Sequence, residues 1–369
     1  MIKLIVLSAV VMFLALFHEY FSKIDNSIGQ YIYKEKFFFI IIAVIMIFFS
    51  GLRITYNDTA TYILSYNALA ASFENIDWKL GSNPGFQIVN IILKSLGASS
   101  QTFLLFYSAV TVGLYLWFIR KYSVNFIMSL FIFIAGGMYA FSFAAVKQCV
   151  AIAIALLGVD KALKKKWVSF VFWILLASTF HTYALMFLVT PFIIFKPWTK
   201  KTYILLAAGT LFGFSFRLLI GRILTIVSLM GESYDMNSIA LGDGVNLFRL
   251  AVAWAPIALA FLARKQIKKC DDDRQNLILN FSMLNAILMF TACFGTAFYI
   301  ARLANYFGIF QVLVIPALLK YYDSGSRKFL KASIYIGFAG FAVYAYGINR
   351  AFDIMYTRVS LIDYLSGLF

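Results

Sequence analysis

Acid is scarce in this chain. Of 369 residues, 16 are Asp or Glu against 32 Lys or Arg, and only two are His and three Cys. Cys149, Cys270 and Cys293 are odd in number and scattered, and two of them sit in apolar runs. That excludes a disulfide framework and a CxxC metal site. No Gly-rich phosphate loop of the G-x-G-x-x-G or Walker kind is present. Asp271, Asp272 and Asp273 gather acid, but Lys268, Lys269 and Arg274 flank them. They read as a solvated charge run rather than a metal-bound nucleotide-sugar site. No internal repeat, low-complexity stretch or soluble domain is visible, and neither a metal nor another cofactor is expected.

What is abundant is apolar surface. Hydrophobic residues make up 62% of the chain and mean hydropathy is +0.85, values that a soluble protein does not reach. The chain therefore reads as an all-α, polytopic integral membrane protein. Its 40 Phe and 22 Tyr suit lipid-facing surfaces and interfacial belts. A formal charge of +16 would suggest nucleic acid in a soluble chain; here topogenic charge in short loops explains it, and no nucleic-acid partner is expected. The first 17 residues resemble a signal-peptide core. Phe17, His18, Glu19 and Tyr20 follow with no small-x-small cleavage site, so a retained first span is expected.

Residues 164–201 organise the topology. Lys164, Lys165 and Lys166 open this stretch, and a 14-residue apolar run, Trp167 to Phe180, follows. His181 comes next, then a second apolar run to Phe195, closed by Lys196, Lys200 and Lys201. One helix over 167–195 would be about 43 Å long at ~1.5 Å per residue, too long for a ~30 Å hydrocarbon core. Basic clusters at both ends also oppose a single crossing. A hairpin of two short half-spans, with His181 at its outer tip, satisfies both constraints. A polar imidazole at that depth should face a wet cavity; the plainer reading is a hydrogen-bonded histidine that ends a helix.

Apolar runs predict about twelve transmembrane segments: 2–21, 37–52, 101–119, 124–143, 147–163, 167–180, 183–195, 202–220, 247–263, 277–297, 302–320 and 331–349. Alternating them puts most of the 32 basic residues on one side, which is then cytoplasmic. Residues 1–369 form a single transmembrane domain with long outer segments at 53–100 and 221–246. In the first, Tyr62, Tyr66, Leu69 and Phe73 predict an interfacial helix over 59–73. Asn83-Pro84 and Gly97 bracket a second interfacial or re-entrant helix. In the other, Gly231, Glu232, Ser233, Gly242, Asp243 and Gly244 mark a polar stretch that is either a lid or a connector. Four outer basic residues, Arg53, Lys147, Arg249 and Arg302, start or end a span against the positive-inside tendency. Each alone is explained by snorkelling to headgroups; four at similar depth suggest a shared anionic ligand.

Gly51-Leu52-Arg53 with Asp58 and Tyr62, Lys147-Gln148 opening a small-residue helix, Phe180-His181, and Arg302-Leu303 with Tyr306-Phe307 and Pro316 resemble, in order, the motifs of the EpsG family of Wzy-type polysaccharide polymerases. The similarity spans roughly residues 50–320. Lys147 stands where that family has Arg, and Asn57 where it commonly has Gly. The resemblance implies a glycosyltransferase with a glycosyltransferase-C-like membrane core, working without metal. It would join repeat units carried on undecaprenyl pyrophosphate, as donor and acceptor, at the outer face of the bacterial cytoplasmic membrane. The polymer would be an O-antigen, capsule or exopolysaccharide, with membrane lipid and a chain-length regulator as further partners.

The residues suit that chemistry. A pyrophosphate leaving group needs cations rather than a general acid, and an acceptor hydroxyl gains from a base. His181 is the expected base, and Arg53, Lys147 and Arg302 the expected pyrophosphate cations, with Arg249 a weaker one. Asp58 either caps the 59–73 helix or orients acceptor or Arg. Gln148 and Tyr306 enter through the motifs, Tyr306 more as an interfacial anchor than as a ligand. A lipid-linked glycan ligase, a flippase or exporter of the lipid-linked unit, and a His-dependent acyltransferase are the alternatives.

Overall fold

The computed structural model describes residues 1–21, 23–25, 30–32, 36–229, 244–295, 297–350, 352–353 and 356–367. Helix dominates it, as a backbone in lipid requires. Among the described residues six helices are long and apolar enough to cross a membrane: Ile2–Tyr20, Ser100–Tyr122, Lys200–Ile226, Asp273–Phe294, Tyr299–Tyr321 and Ser324–Ile348. Phe37–Gly51, Trp167–Ser178, Thr182–Ile193 and Leu247–Leu262 are apolar but shorter. Val168, Phe192, Leu218 and Leu229 stand exposed on the outside, as lipid-facing side chains do. The chain is thus an all-α, multi-pass membrane protein. The described strands are two short antiparallel pairs, Lys23–Asp25 with Gln30–Ile32 and Arg53–Thr55 with Thr357–Arg358.

The single span expected over 124–143 is a broken one. Phe126–Ala135 and Met138–Ala144 are bent by 48° at Gly136-Gly137. Gly137 holds φ +93°, a left-handed conformation open to glycine, and a Cβ on Gly136 would stand 2.6 Å from the Ile132 carbonyl oxygen. Counted as one crossing, this pair is the seventh.

Basic loops gather at one end of the bundle. Asp160 accepts from Lys164 at 2.8 Å, from the Tyr122 hydroxyl at 2.6 Å, and from Lys121. Lys165 pairs with Asp273 at 3.9 Å, and Arg274 donates to the Tyr122 carbonyl at 2.5 Å. The hairpin starts from this end and returns towards it, because Asn280 Nδ2 donates to the carbonyls of Ile193 (2.6 Å) and Phe195 (2.8 Å). Its first arm is the α-helix Trp167–Ser178. The second winds as a 3-10 helix, Thr182–Val189, before the short helix Thr190–Ile193. At ~2.0 Å per residue, the 3-10 stretch covers about 16 Å where an α-helix would cover about 12 Å.

The first outer segment packs onto the hairpin tip. Asn83, at φ 58°, turns the chain into helix Pro84–Ser95, which ends before Gly97 at φ +76°. The Gly85 N–H donates to the Thr179 carbonyl at 2.9 Å, and the Thr182 hydroxyl donates to the Leu80 carbonyl at 3.0 Å. The helix expected over 59–73 is shorter, Thr59–Ala68. Lys94 Nζ reaches the carbonyls of Tyr66 (3.4 Å) and Asn67 (3.2 Å), a cation closing a helix C-terminus, and Phe73 opens a separate 3-10 turn. In the other outer segment the helix Lys200–Leu229 runs past the expected end at 220, whereas Gly231, Glu232, Ser233, Gly242 and Asp243 lie outside the described residues.

A Cβ on Gly85 would stand 2.2 Å from Thr179 Oγ1 and 2.9 Å from Thr179 Cβ. Gly85→Ala should therefore cost about 1–3 kcal/mol by overpacking. Thermal unfolding of the detergent-purified protein should show a lowered Tm, partly restored by adding Thr179→Ala.

Candidate functional site

His181 is where helix gives way. Its backbone is extended (φ −159°, ψ 117°), which swings the imidazole off both arms at the hairpin tip. Its Nδ1 lies 2.7 Å from the Tyr306 hydroxyl, and among the described residues Nε2 has no hydrogen-bond partner. Tyr306 is fully buried. It is not the interfacial anchor expected near the start of the 302–320 span; it holds the imidazole.

Arg302 lies four residues before Tyr306, so both side chains leave one helical face. Arg302 Nη2 pairs with Asp58 Oδ2 at 3.3 Å, with both side chains partly exposed. Asp58 makes no side-chain cap bond to the following helix, so of its two expected roles the structure supports the one that orients Arg. Gln148 is buried and donates from Nε2 to the Arg302 carbonyl at 2.5 Å, which clamps helix Val146–Leu163 to helix Ala297–Ala304. Lys147 places Nζ 5.2 Å from the centre of the Phe86 ring. Lys147 and Arg302 are the two cations whose charge acts on the imidazole. The Tyr62 hydroxyl lies against the Lys147 backbone and within the fields of Asp58 and Arg302. His181, Tyr306, Arg302, Asp58, Lys147 and Tyr62 thus form one cluster, drawn from four separate stretches of sequence.

Two expected cations stand elsewhere. Arg53 is turned inward, 1% exposed: Nε donates to the Thr59 hydroxyl (3.1 Å), and Nη1 to the Ser50 carbonyl (2.6 Å) and the Ser108 hydroxyl (3.2 Å). A guanidinium so occupied is a strut beneath the Asp58 turn rather than a pyrophosphate ligand. The positive-inside argument missed this because it weighs snorkelling and ligands but not burial on backbone carbonyls. Arg249 lines a neighbouring cavity of about 390 Å³ that His181, Lys147 and Arg302 do not line. This cavity borders the cluster, because Asn57 and Asn305 line it and are the chain neighbours of Asp58 and Tyr306. Asn285, which also lines it, was passed over in the sequence. Its signal in the sequence is that Asn280 and Asn285 are polar amides inside the apolar run 277–297. Among the described residues no group of three His, Cys, Asp or Glu is placed to hold a metal ion.

A family model described as EpsG family matches residues 36–364, nearly the whole chain. No curated protein and no solved structure matches it.

A base at Nε2 requires the proton on Nδ1, donated to the Tyr306 oxygen. With two histidines in the chain, 15N NMR of the purified protein can assign both by subtracting a His181→Ala spectrum. The His181 signals should report the Nδ1–H tautomer, and Tyr306→Phe should shift them towards a mixed population while leaving His18 unchanged.

Proposed function

The chain belongs to the EpsG family, and we propose that it is a Wzy-type polysaccharide polymerase joining undecaprenyl-pyrophosphate-linked repeat units at the outer face of the bacterial cytoplasmic membrane. The observation that carries this reading is the cluster itself: an imidazole held by a buried tyrosine, with Lys147 and an Asp58-oriented Arg302 beside it. The end of the bundle that gathers the basic loops is the cytoplasmic one by the positive-inside rule, which puts the hairpin tip outside. The bundle is read as about twelve crossings, several of them short or bent.

In the proposed reaction an acceptor sugar hydroxyl attacks the anomeric carbon of the donor. Its proton passes to His181 Nε2 as the new carbon–oxygen bond forms. The bond from that carbon to the pyrophosphate oxygen breaks, and the electron pair leaves on the lipid pyrophosphate. In-line attack inverts the anomeric centre. Lys147 and Arg302 neutralise the departing charge through charge-assisted contacts. Lys147 supplies a point charge where a guanidinium would give two prongs. Asp58 fixes the direction of the Arg302 guanidinium, Gln148 fixes its backbone, and Arg53 supports the turn that carries Asp58. A ligase would share the donor and differ in acceptor; an exporter would need no base.

His181→Ala should remove long chains from the cell surface, a loss of about 10²–10⁴-fold in polymerisation rate, while single units are still exported. Surface polymer run on gels, with protein level checked, reads this. Loss of the exported units themselves would favour the exporter, and retained long chains would remove the base assignment. Arg302→Ala should act likewise with partial activity in Arg302→Lys, whereas Arg53→Lys should lower protein level instead. For orientation, single cysteines at Glu74 and Lys201 in a cysteine-free background should label from outside and inside respectively.

A further inference from the structure

The cavity beside the cluster has a chemistry that the mechanism above does not use. At about 390 Å³ it has the size of a small-molecule site. Six amide side chains line it, those of Asn57, Asn246, Asn285, Asn305, Asn349 and Gln311. No Asp or Glu does, and Arg249 is its charged lining residue. Amides offer donors and acceptors together and carry no charge, which suits a ligand that is itself rich in hydroxyls. Rings of Tyr56, Phe141 and Tyr344 stand among them and give apolar faces.

One atom points to a missing partner. Asn285 is 3% exposed, and its Nδ2 donates to the Ala304 carbonyl at 2.6 Å, yet its Oδ1 is buried with no hydrogen-bond partner. Native proteins rarely leave such an acceptor unmet. Asn285 lines the cavity, so a hydroxyl or an acetamido N–H held there brings a donor beside it that a lipid tail would not. Gln311 is similar: Nε2 is taken by the Ala253 carbonyl at 2.8 Å, which leaves Oε1 as an acceptor. The space itself depends on missing side chains. A Cβ on Gly308, which lines the cavity, would come within 3.2 Å of Met138 Sδ and 3.8 Å of Asn285 Nδ2.

We propose that this cavity is a carbohydrate subsite that takes one uncharged sugar ring of the glycan. Asn285 Oδ1 accepts from a hydroxyl or acetamido group of that ring, and the Arg249 guanidinium donates to its hydroxyls. The cavity, rather than the His181 cluster, then selects which repeat unit is used. The polymerase reading supplies the source of the sugar; the chemistry of the cavity stands apart from it.

The test uses full-length protein in nanodiscs and, as probe, the repeat-unit oligosaccharide released by mild acid from the lipid-linked units of the producing cells. Saturation-transfer NMR should show the probe bound by the wild type and by His181→Ala. Binding should be about tenfold weaker in Asn285→Ala and in the space-filling Gly308→Val. Thermal unfolding checks that the variants fold, and Asn285→Ala keeps the test open should Gly308→Val fail to. No transfer in the wild type, or equal transfer in the wild type and Asn285→Ala, overturns the proposal. If binding falls as expected but His181→Ala still makes long chains, the subsite stands and the base assignment falls. If His181→Ala loses long chains while both cavity variants bind as the wild type does, the polymerase reading stands and the subsite falls.

Discussion

An imidazole carried to the tip of an apolar hairpin must find a hydrogen bond inside the protein, and the Tyr306 hydroxyl provides it. Much of the site follows from that contact. It joins the hairpin tip to the helical segment that also carries Arg302, four residues away on the same face. With Tyr306 buried, the height of that face is set, and with it the height of the guanidinium. Asp58 then reaches Arg302 from the first outer segment, and Gln148 reaches its backbone from a third helix. Bonds of this kind are individually modest, but each removes a way for the cluster to spread. Under the polymerase reading the site holds a diphosphate and a hydroxyl in line, and such restraint then matters more than the strength of any one contact.

The tip could not stay in place without the two ends of the bundle behaving differently. At the basic end, Asp160 collects Lys164, Lys121 and the Tyr122 hydroxyl, and Arg274 ties in the start of another helix. Acid is rare in this chain, and this one joins two helix ends. At the far end, backbone groups replace side-chain ions: the Gly85 N–H on Thr179 and the Thr182 hydroxyl on Leu80 bind the outer segment to the hairpin directly. Glycine at 85 lets the two backbones come that close. The second arm reaches back to Asn280 because it winds as a 3-10 helix, stretching fewer residues over more distance.

The parts of this arrangement that were legible in the sequence are those that rest on periodicity and charge. The hairpin is visible from two basic clusters around the apolar runs of residues 167–195, too long for one crossing and with the wrong charge for it. The helix opened by Pro84 and stopped at Gly97 was visible from its punctuation. What was not legible depends on the far side of a contact. Nothing near Arg53 in sequence announces Ser108, and nothing near Tyr306 announces His181, so sequence alone reads one as a ligand and the other as an anchor. Hydropathy also cannot distinguish a straight span from a broken one. Gly136-Gly137 is an unremarkable pair in an apolar run, yet the chain turns through 48° there.

That bend brings the argument back to the site. Gly136 and Gly137 line the amide cavity, so the break that interrupts a crossing also makes room beside the cluster. The two regions meet where Asn57 adjoins Asp58 and Asn305 adjoins Tyr306. On one side stand Lys147 and Arg302 with a single acid between them, a positive surplus suited to phosphate. On the other stand amides and rings, suited to hydroxyls. A sugar diphosphate has the same division along its length, with the anomeric carbon at the border. Under the polymerase reading that border is where bonds change, and it lies beside the structural element that brought His181 there: a hairpin of two short arms with the imidazole at its tip.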